Sequence, residues 1–258
     1  MLSLSIELRK SLSPPPALDA TSVHVWQVDV LPASSGDALM LSTDEQKRAK
    51  AFQAERDRAR YIVSHVALRS ILARYLSWPP SKIRYQAGPH GKPSLLESGG
   101  LEFSLARSGT VALIAVCQGA RIGVDIELKR FNQATSNALA PDLLALARHY
   151  FSPDERRTLS LLPIAGQASA FYRIWTRKQA YIKASGNFGS NSSLVDFSVS
   201  VGEMPRLLRD TGNTAAVSRF TLTDGPDDDP NSASYASAVA VERPRCKFIW
   251  LDWHPDAH

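Results

Sequence analysis

The sequence predicts an α+β fold arranged as two comparable halves, and three observations lead to it. Short stretches with strand alternation or continuous apolar character, such as Val23 to Val30, Val111 to Cys117 and Ser234 to Val241, are interleaved with stripes at helical spacing, such as Tyr61, His65, Leu68 and Leu72. The order strand, helices, strands occurs twice, with the second round starting near Gly123. The chain has 258 residues, 44% of them hydrophobic, which is enough for one large domain or two small ones.

The expected organisation is a flexible leader over 1–22, an N-terminal half over 23–121, a C-terminal half over 122–243 and a tail over 244–258. Pro14-Pro15-Pro16 marks the leader as irregular. In the first half, Ser42, Thr43 and Asp44 offer N-caps for a helix beginning near Glu45, with Phe52 on its buried face. The helix containing Tyr61 should stop before Pro79-Pro80. Lys47, Arg48, Lys50, Arg56, Arg58, Arg60 and Arg69 lie along these helices, and taken singly each reads as part of a solvated face. Ile83 to Gln86 reads as a short strand, followed by a turn through Gly88-Pro89-His90-Gly91-Lys92-Pro93. Lys92 sits where glycines permit close approach to a ligand, although such a turn is often no more than a turn. Phe103 to Leu105 and Val111 to Cys117 form a hairpin around Ser108-Gly109-Thr110, with Arg107 just before the turn.

The second half starts with Gly123-Val124-Asp125-Ile126-Glu127, whose alternation puts Asp125 and Glu127 on one face of a strand. Two carboxylates at this spacing make a hard-oxygen site that can hold Mg²⁺ and leave positions for phosphate and water. Asn132 to Ala140 reads as a loop, then Leu143 to Tyr150 and Pro153 to Leu162 as helices. Ser152, Pro153 and Glu155 form a capping box, so Glu155 is either a cap or a site residue. A break over Pro163 to Gln167 precedes a helix over Ala168 to Ser185, closed by Gly186. Phe171, Ile174, Trp175, Tyr181 and Ile182 define its apolar face, and Lys178 projects from the middle of that face. An ammonium there either reaches the edge or meets an anion. Gln179 and Lys183, four apart, can converge on one site. Leu194 to Val201, Ser218 to Thr223 and Ser234 to Val241 read as strands, Asp224 to Ser232 as a surface loop, and Phe248 to Trp253 as a terminal strand or docking segment.

The net charge of +5 favours an anionic partner, but the basic residues are dispersed, with no clustered run of the kind that marks a nucleic-acid-binding arm. Two cysteines without metal-ligand spacing point to a reducing cytoplasm. The longest apolar run, Val111 to Cys117, is too short to span a membrane, and Met1 to Lys10 lacks the layout of a secretion signal. A soluble cytoplasmic protein is expected, with no nucleic-acid or membrane partner.

Three segments together resemble the broad-specificity, single-chain 4'-phosphopantetheinyl transferases. Gly123 to Glu127 is similar to the family's acidic strand. Trp175-Thr176-Arg177-Lys178-Gln179-Ala180-Tyr181-Ile182-Lys183-Ala184-Ser185-Gly186 is similar to its Trp-x-x-Lys-Glu-Ala-x-x-Lys-x-x-Gly helix, and Gly91-Lys92-Pro93 with the Phe103 to Gly109 hairpin lie upstream in the family's order. The resemblance spans roughly 23–243. It implies a monomeric pseudodimer of two α+β halves with the ligand cleft between them, and transfer of the 4'-phosphopantetheine arm of coenzyme A to a serine of an acidic acyl or peptidyl carrier protein. It further implies Mg²⁺ held by Asp125, Glu127 and Gln179, with Glu127, Lys178 and Lys183 as catalytic residues. Arg48, Arg60, Lys92, Arg107, Ser108, Lys178 and Lys183 would bind coenzyme A. Two positions depart from the family's pattern: Gln179 replaces a glutamate, and Ala106-Arg107-Ser108 replaces Ser-His-Ser. The departures leave two readings, a working transferase or a catalytically impaired protein of the same fold that binds coenzyme A or a carrier.

Overall fold

The computed structural model describes residues 6–9, 16–30, 37–88, 91–129, 141–186, 193–226 and 234–254. In chain order the elements are β1 (Ile6–Arg9), β2 (Ser22–Asp29), α1 (Thr43–Ala51), α2 (Glu55–Leu76), β3 (Tyr85–Ala87), β4 (Pro93–Leu95), β5 (Leu101–Ser108), β6 (Val111–Gln118) and β7 (Ile122–Leu128). They continue with α3 (Pro141–Tyr150), α4 (Pro153–Leu161), α5 (Ile164–Ser185), β8 (Phe197–Val199), β9 (Leu207–Asp210), α6 (Ala216–Arg219), β10 (Thr221–Asp224), β11 (Tyr235–Val241) and β12 (Lys247–Trp253). The fold is α+β. The expected loop over Asn132 to Ala140, most of that over Asp224 to Ser232, and half of the leader lie outside the described residues.

The chain forms two compact units, one made of Met1–Gly88, Pro93–Gly119 and Lys247–His258, the other of Pro89–Lys92 and Ala120–Cys246. The first unit carries a five-stranded sheet in the order β1-β12-β2-β6-β5. β2, β6 and β5 are antiparallel neighbours, whereas β12 runs parallel to both β1 and β2. This corrects two expectations. The tail is an interior strand of the first unit's sheet, and Ile6–Arg9 of the leader is paired backbone. Helix α2 buries Val63, Ala67, Leu68, Ile71 and Leu72 against Trp26, Phe103, Ile114, Ile249 and Leu251 of that sheet. It stops at Ser77, in the left-handed conformation two residues before the Pro79-Pro80 pair. Arg69, expected on a solvated face, is instead buried. Its Nη2 lies 2.7 Å from the Glu45 carboxylate, and Nη1 donates to the carbonyls of Pro80 and Ile83. A guanidinium has donors enough to satisfy both helix and loop, which offsets its desolvation.

The second unit has a three-stranded antiparallel sheet, β10-β11-β7, a ribbon of β8 and β9, and helix α5 laid on the sheet. Helix α5 starts at Ile164, four residues earlier than predicted, because Pro163 occupies the N-cap, where its missing N–H is not needed. It closes at Gly186 with φ +77°. Strand β9 went unread in the sequence.

Candidate active site on the acidic strand

The candidate site of the second unit begins with how closely α5 approaches β7. On one face of the sheet, Gly123, Asp125 and Glu127 stand opposite Ala240, Ala238 and Ala236 of β11. Three alanines and a glycine leave this face almost flat. The helix answers with Ala180 and Ala184, and a Cβ added at Gly123 would lie 2.1 Å from the Ala180 carbonyl oxygen. Only glycine permits that approach.

Close approach puts Lys183 on the acidic strand. Its Nζ donates to Asp125 Oδ1 at 2.7 Å and to the Val124 carbonyl at 3.0 Å. Asp125 is 7% exposed, and its other oxygen, Oδ2, is buried with no hydrogen-bond partner among the described residues. Burial pushes this carboxyl up to about 6, against the pull of Lys183, with the Glu127 charge adding to the rise. Glu127, two residues on and half-buried, shares the face. Gln179 lies one turn before Lys183 on α5, also half-buried. Among the described residues, no group of three His, Cys, Asp or Glu side chains could hold a metal, so the acidic pair has no third acid.

Lys178 meets an anion, and that anion belongs to the protein. Its Nζ is buried and donates to both Glu155 oxygens, at 3.0 and 2.8 Å, and to the Phe197 carbonyl at 2.7 Å. Glu155 caps α4, which was one of its two readings, receiving the Ser152 N–H at 2.8 Å, and it also accepts from the Val199 N–H. Each Lys178 donor is thereby used, and a phosphate would reach it only if this cluster opened. The expected phosphate contact gives way to an internal tie joining α4, α5 and β8. Arg177 is likewise sealed, paired with Asp224 and donating to the carbonyls of Ser200 and Gly202. Trp175 is half-buried, stacked on Phe171 and edge-on to Tyr150. Lys92 donates to the Ile122 carbonyl at the start of β7.

In the first unit, Arg48 and Arg107 are exposed and neither makes an ion pair with a carboxylate among the described residues. The Arg107 guanidinium sits 5.3 Å over the Tyr61 ring and donates weakly to Ser64 Oγ at 3.4 Å. Tyr61 in turn stacks on His65, with ring centroids 3.8 Å apart. Burial, with Arg107 and Arg48 adding positive charge, pushes the His65 imidazole down to about 4, so it is neutral at physiological pH. Arg60 pairs with Asp57 at 3.3 Å, and Ser108 ends β5 beside Arg107. Sequence reading missed Tyr61 and Ser64 as neighbours of Arg107. Their helical spacing with His65 was visible, but nothing local tied them to a residue more than forty positions away.

Comparison with known proteins gives the family. The profile of the 4'-phosphopantetheinyl transferase superfamily matches residues 121–237, and that of the 4'-phosphopantetheinyl transferase N-terminal region matches 34–119. The 4'-phosphopantetheinyl transferase HetI of Nostoc is 37% identical over 184 residues, covering 68% of this chain and 74% of that protein. A putative 4'-phosphopantetheinyl transferase of Synechocystis is 33% identical over 157 residues, covering 60% of this chain and 61% of that protein. Sfp of Bacillus subtilis is 25% identical over 188 residues, covering 72% and 79%. With matched profiles on both sides of residue 120 and an extended match to HetI, this chain belongs to the 4'-phosphopantetheinyl transferase superfamily.

Proposed function

We propose that the protein transfers the 4'-phosphopantetheine arm of coenzyme A to a serine hydroxyl of an acidic apo acyl or peptidyl carrier protein, releasing adenosine 3',5'-bisphosphate. The observation that carries this reading is the flat acidic face of β7, where Lys183 holds one Asp125 oxygen and leaves the other buried, with no partner among the described residues. The donors fit Mg²⁺, a hard cation that takes carboxylate and amide oxygens and retains water. When bound, Mg²⁺ would offset charge that builds on the pyrophosphate during transfer. Asp125, Glu127 and the Gln179 amide oxygen would hold it. Glu127 accepts the serine proton. Lys183 keeps Asp125 oriented and adds positive charge beside the phosphates. Lys178 acts at one remove, fixing α5 through Glu155. Arg48, Arg60, Lys92, Arg107 and Ser108 contact coenzyme A. Each unit sets a 22-residue helix on a sheet, which supports reading them as repeated halves. Net positive charge suits an acidic carrier. No helix among the described residues is long and apolar enough to cross a membrane.

A second reading, a catalytically impaired protein that binds coenzyme A or a carrier, is favoured by the missing third acid. Incubating the protein with coenzyme A, Mg²⁺ and a panel of apo carriers, then weighing the carriers, separates the two. A pantetheine mass gain supports transfer. Coenzyme A binding without mass gain on any carrier overturns it in favour of the second reading.

A further inference from the structure

We propose that Tyr61 is a positioning residue that presents Arg107, with Arg48, as a preformed clamp for a phosphate group. The inference rests on the coenzyme A contacts proposed above for the two arginines, and extends them to a residue that touches no ligand. Exposed guanidiniums normally sample many rotamers, and ordering one on binding costs affinity. Arg107 is restrained from two sides, by the Tyr61 ring face at 5.3 Å and by Ser64 Oγ at 3.4 Å. Tyr61 is itself fixed: it is 5% exposed, clustered with Leu41, Ala49 and Val66, and stacked on His65. The His65 ring accepts no charge that would compete for an anion, and Ser64 and His65 Nδ1 are both held by the Tyr61 carbonyl. The nearest carboxylates have other partners, since Glu45 pairs with Arg69 and Asp57 with Arg60. Arg107 therefore keeps most of its fork-shaped donors for an outside oxyanion, and the planar stack orients it before the oxyanion arrives. The shared chemistry is a phosphate monoester or pyrophosphate.

A double-mutant cycle on the full chain tests this, with Kd measured calorimetrically for coenzyme A and for adenosine 3',5'-bisphosphate and thermal midpoints recorded alongside. Arg107→Ala is expected to weaken both ligands by about tenfold or more. Tyr61→Leu is expected to weaken them about three- to fivefold through Arg107 alone. The Tyr61→Leu/Arg107→Ala protein should then bind no more weakly than Arg107→Ala. Tyr61→Phe, which keeps the ring, should retain wild-type affinity. Under transfer conditions Tyr61→Leu should raise KM for coenzyme A and leave kcat unchanged. Additive losses in the double variant, a Tyr61→Phe defect equal to Tyr61→Leu, or unchanged affinity in a folded Tyr61→Leu protein would each overturn the proposal. Because the affinities are read without turnover, a protein that binds both ligands as expected but transfers nothing refutes the transferase reading and leaves the clamp standing.

Discussion

Asp125 and Lys178 show how two charged side chains of one unit take opposite parts. Asp125 keeps an oxygen without a partner among the described residues, whereas Lys178 spends every donor inside the protein. Asp125→Ala should therefore abolish pantetheine transfer while leaving the circular dichroism spectrum intact. Gln179→Glu should hold or improve Mg²⁺ affinity, measured by titration, because it adds the charge the acidic pair lacks. Lys178→Met should act on stability, since it strands a buried carboxylate, at a cost of about 3–5 kcal/mol in denaturant unfolding. A Lys178→Met protein of unchanged stability would contradict the internal tie. From the residue pattern alone, the acidic face was legible, and an anion at Lys178 was one of the two readings the pattern allowed. The identity of that anion was not legible, because Glu155 already had a complete local role as a cap, and nothing in the sequence reports that one carboxylate serves both a helix end and a lysine on another helix.

At the scale of elements, the contact between β7 and α5 sets the site. Gly123→Ala would force a methyl group to 2.1 Å from the Ala180 oxygen and 2.7 Å from the Ala184 nitrogen, so strand and helix must part. A stability loss of about 1–3 kcal/mol or more is expected, with transfer lost beyond what the thermal shift explains, because Lys183 is carried off Asp125. The capping box at Ser152-Glu155 and the N-cap candidates around Ser42 were readable because their signals lie within four residues. Strand β9 was not. It buries Leu207 and Asp210 and exposes the two residues between them, a pattern without strand alternation. Strand β12 read as a terminal strand or docking segment because its parallel neighbours lie more than two hundred residues away, and only the assembled sheet shows it to be interior.

At the scale of the whole molecule, the last strand of the chain completes the sheet of the first unit. Deleting residues 247–258 removes the strand between β1 and β2 together with Ile249, Leu251 and Trp253 from the first unit's core. The truncated protein should lose cooperative unfolding of that unit, seen as a broadened thermal transition. Acid acts on the same unit. Burial pushes His24 down to about 4, as it does His65, from an ordinary value of 6.5. Below pH 6.5 the unfolded chain binds protons that the folded one refuses. The stabilisation is therefore complete above about pH 6.5 and is lost as pH falls toward 4, by up to roughly 3 kcal/mol per histidine. Urea unfolding at pH 7.5, 6 and 4.5 checks the slope, and His24→Gln should flatten it. The central claim, that the acidic face of β7 with Lys183 is a pantetheine-transfer centre, is tested most directly by the carrier's mass after incubation with coenzyme A. The account predicts a pantetheine gain with wild-type protein and Mg²⁺, and none with Asp125→Ala or after chelation. An equal gain with Asp125→Ala would contradict it.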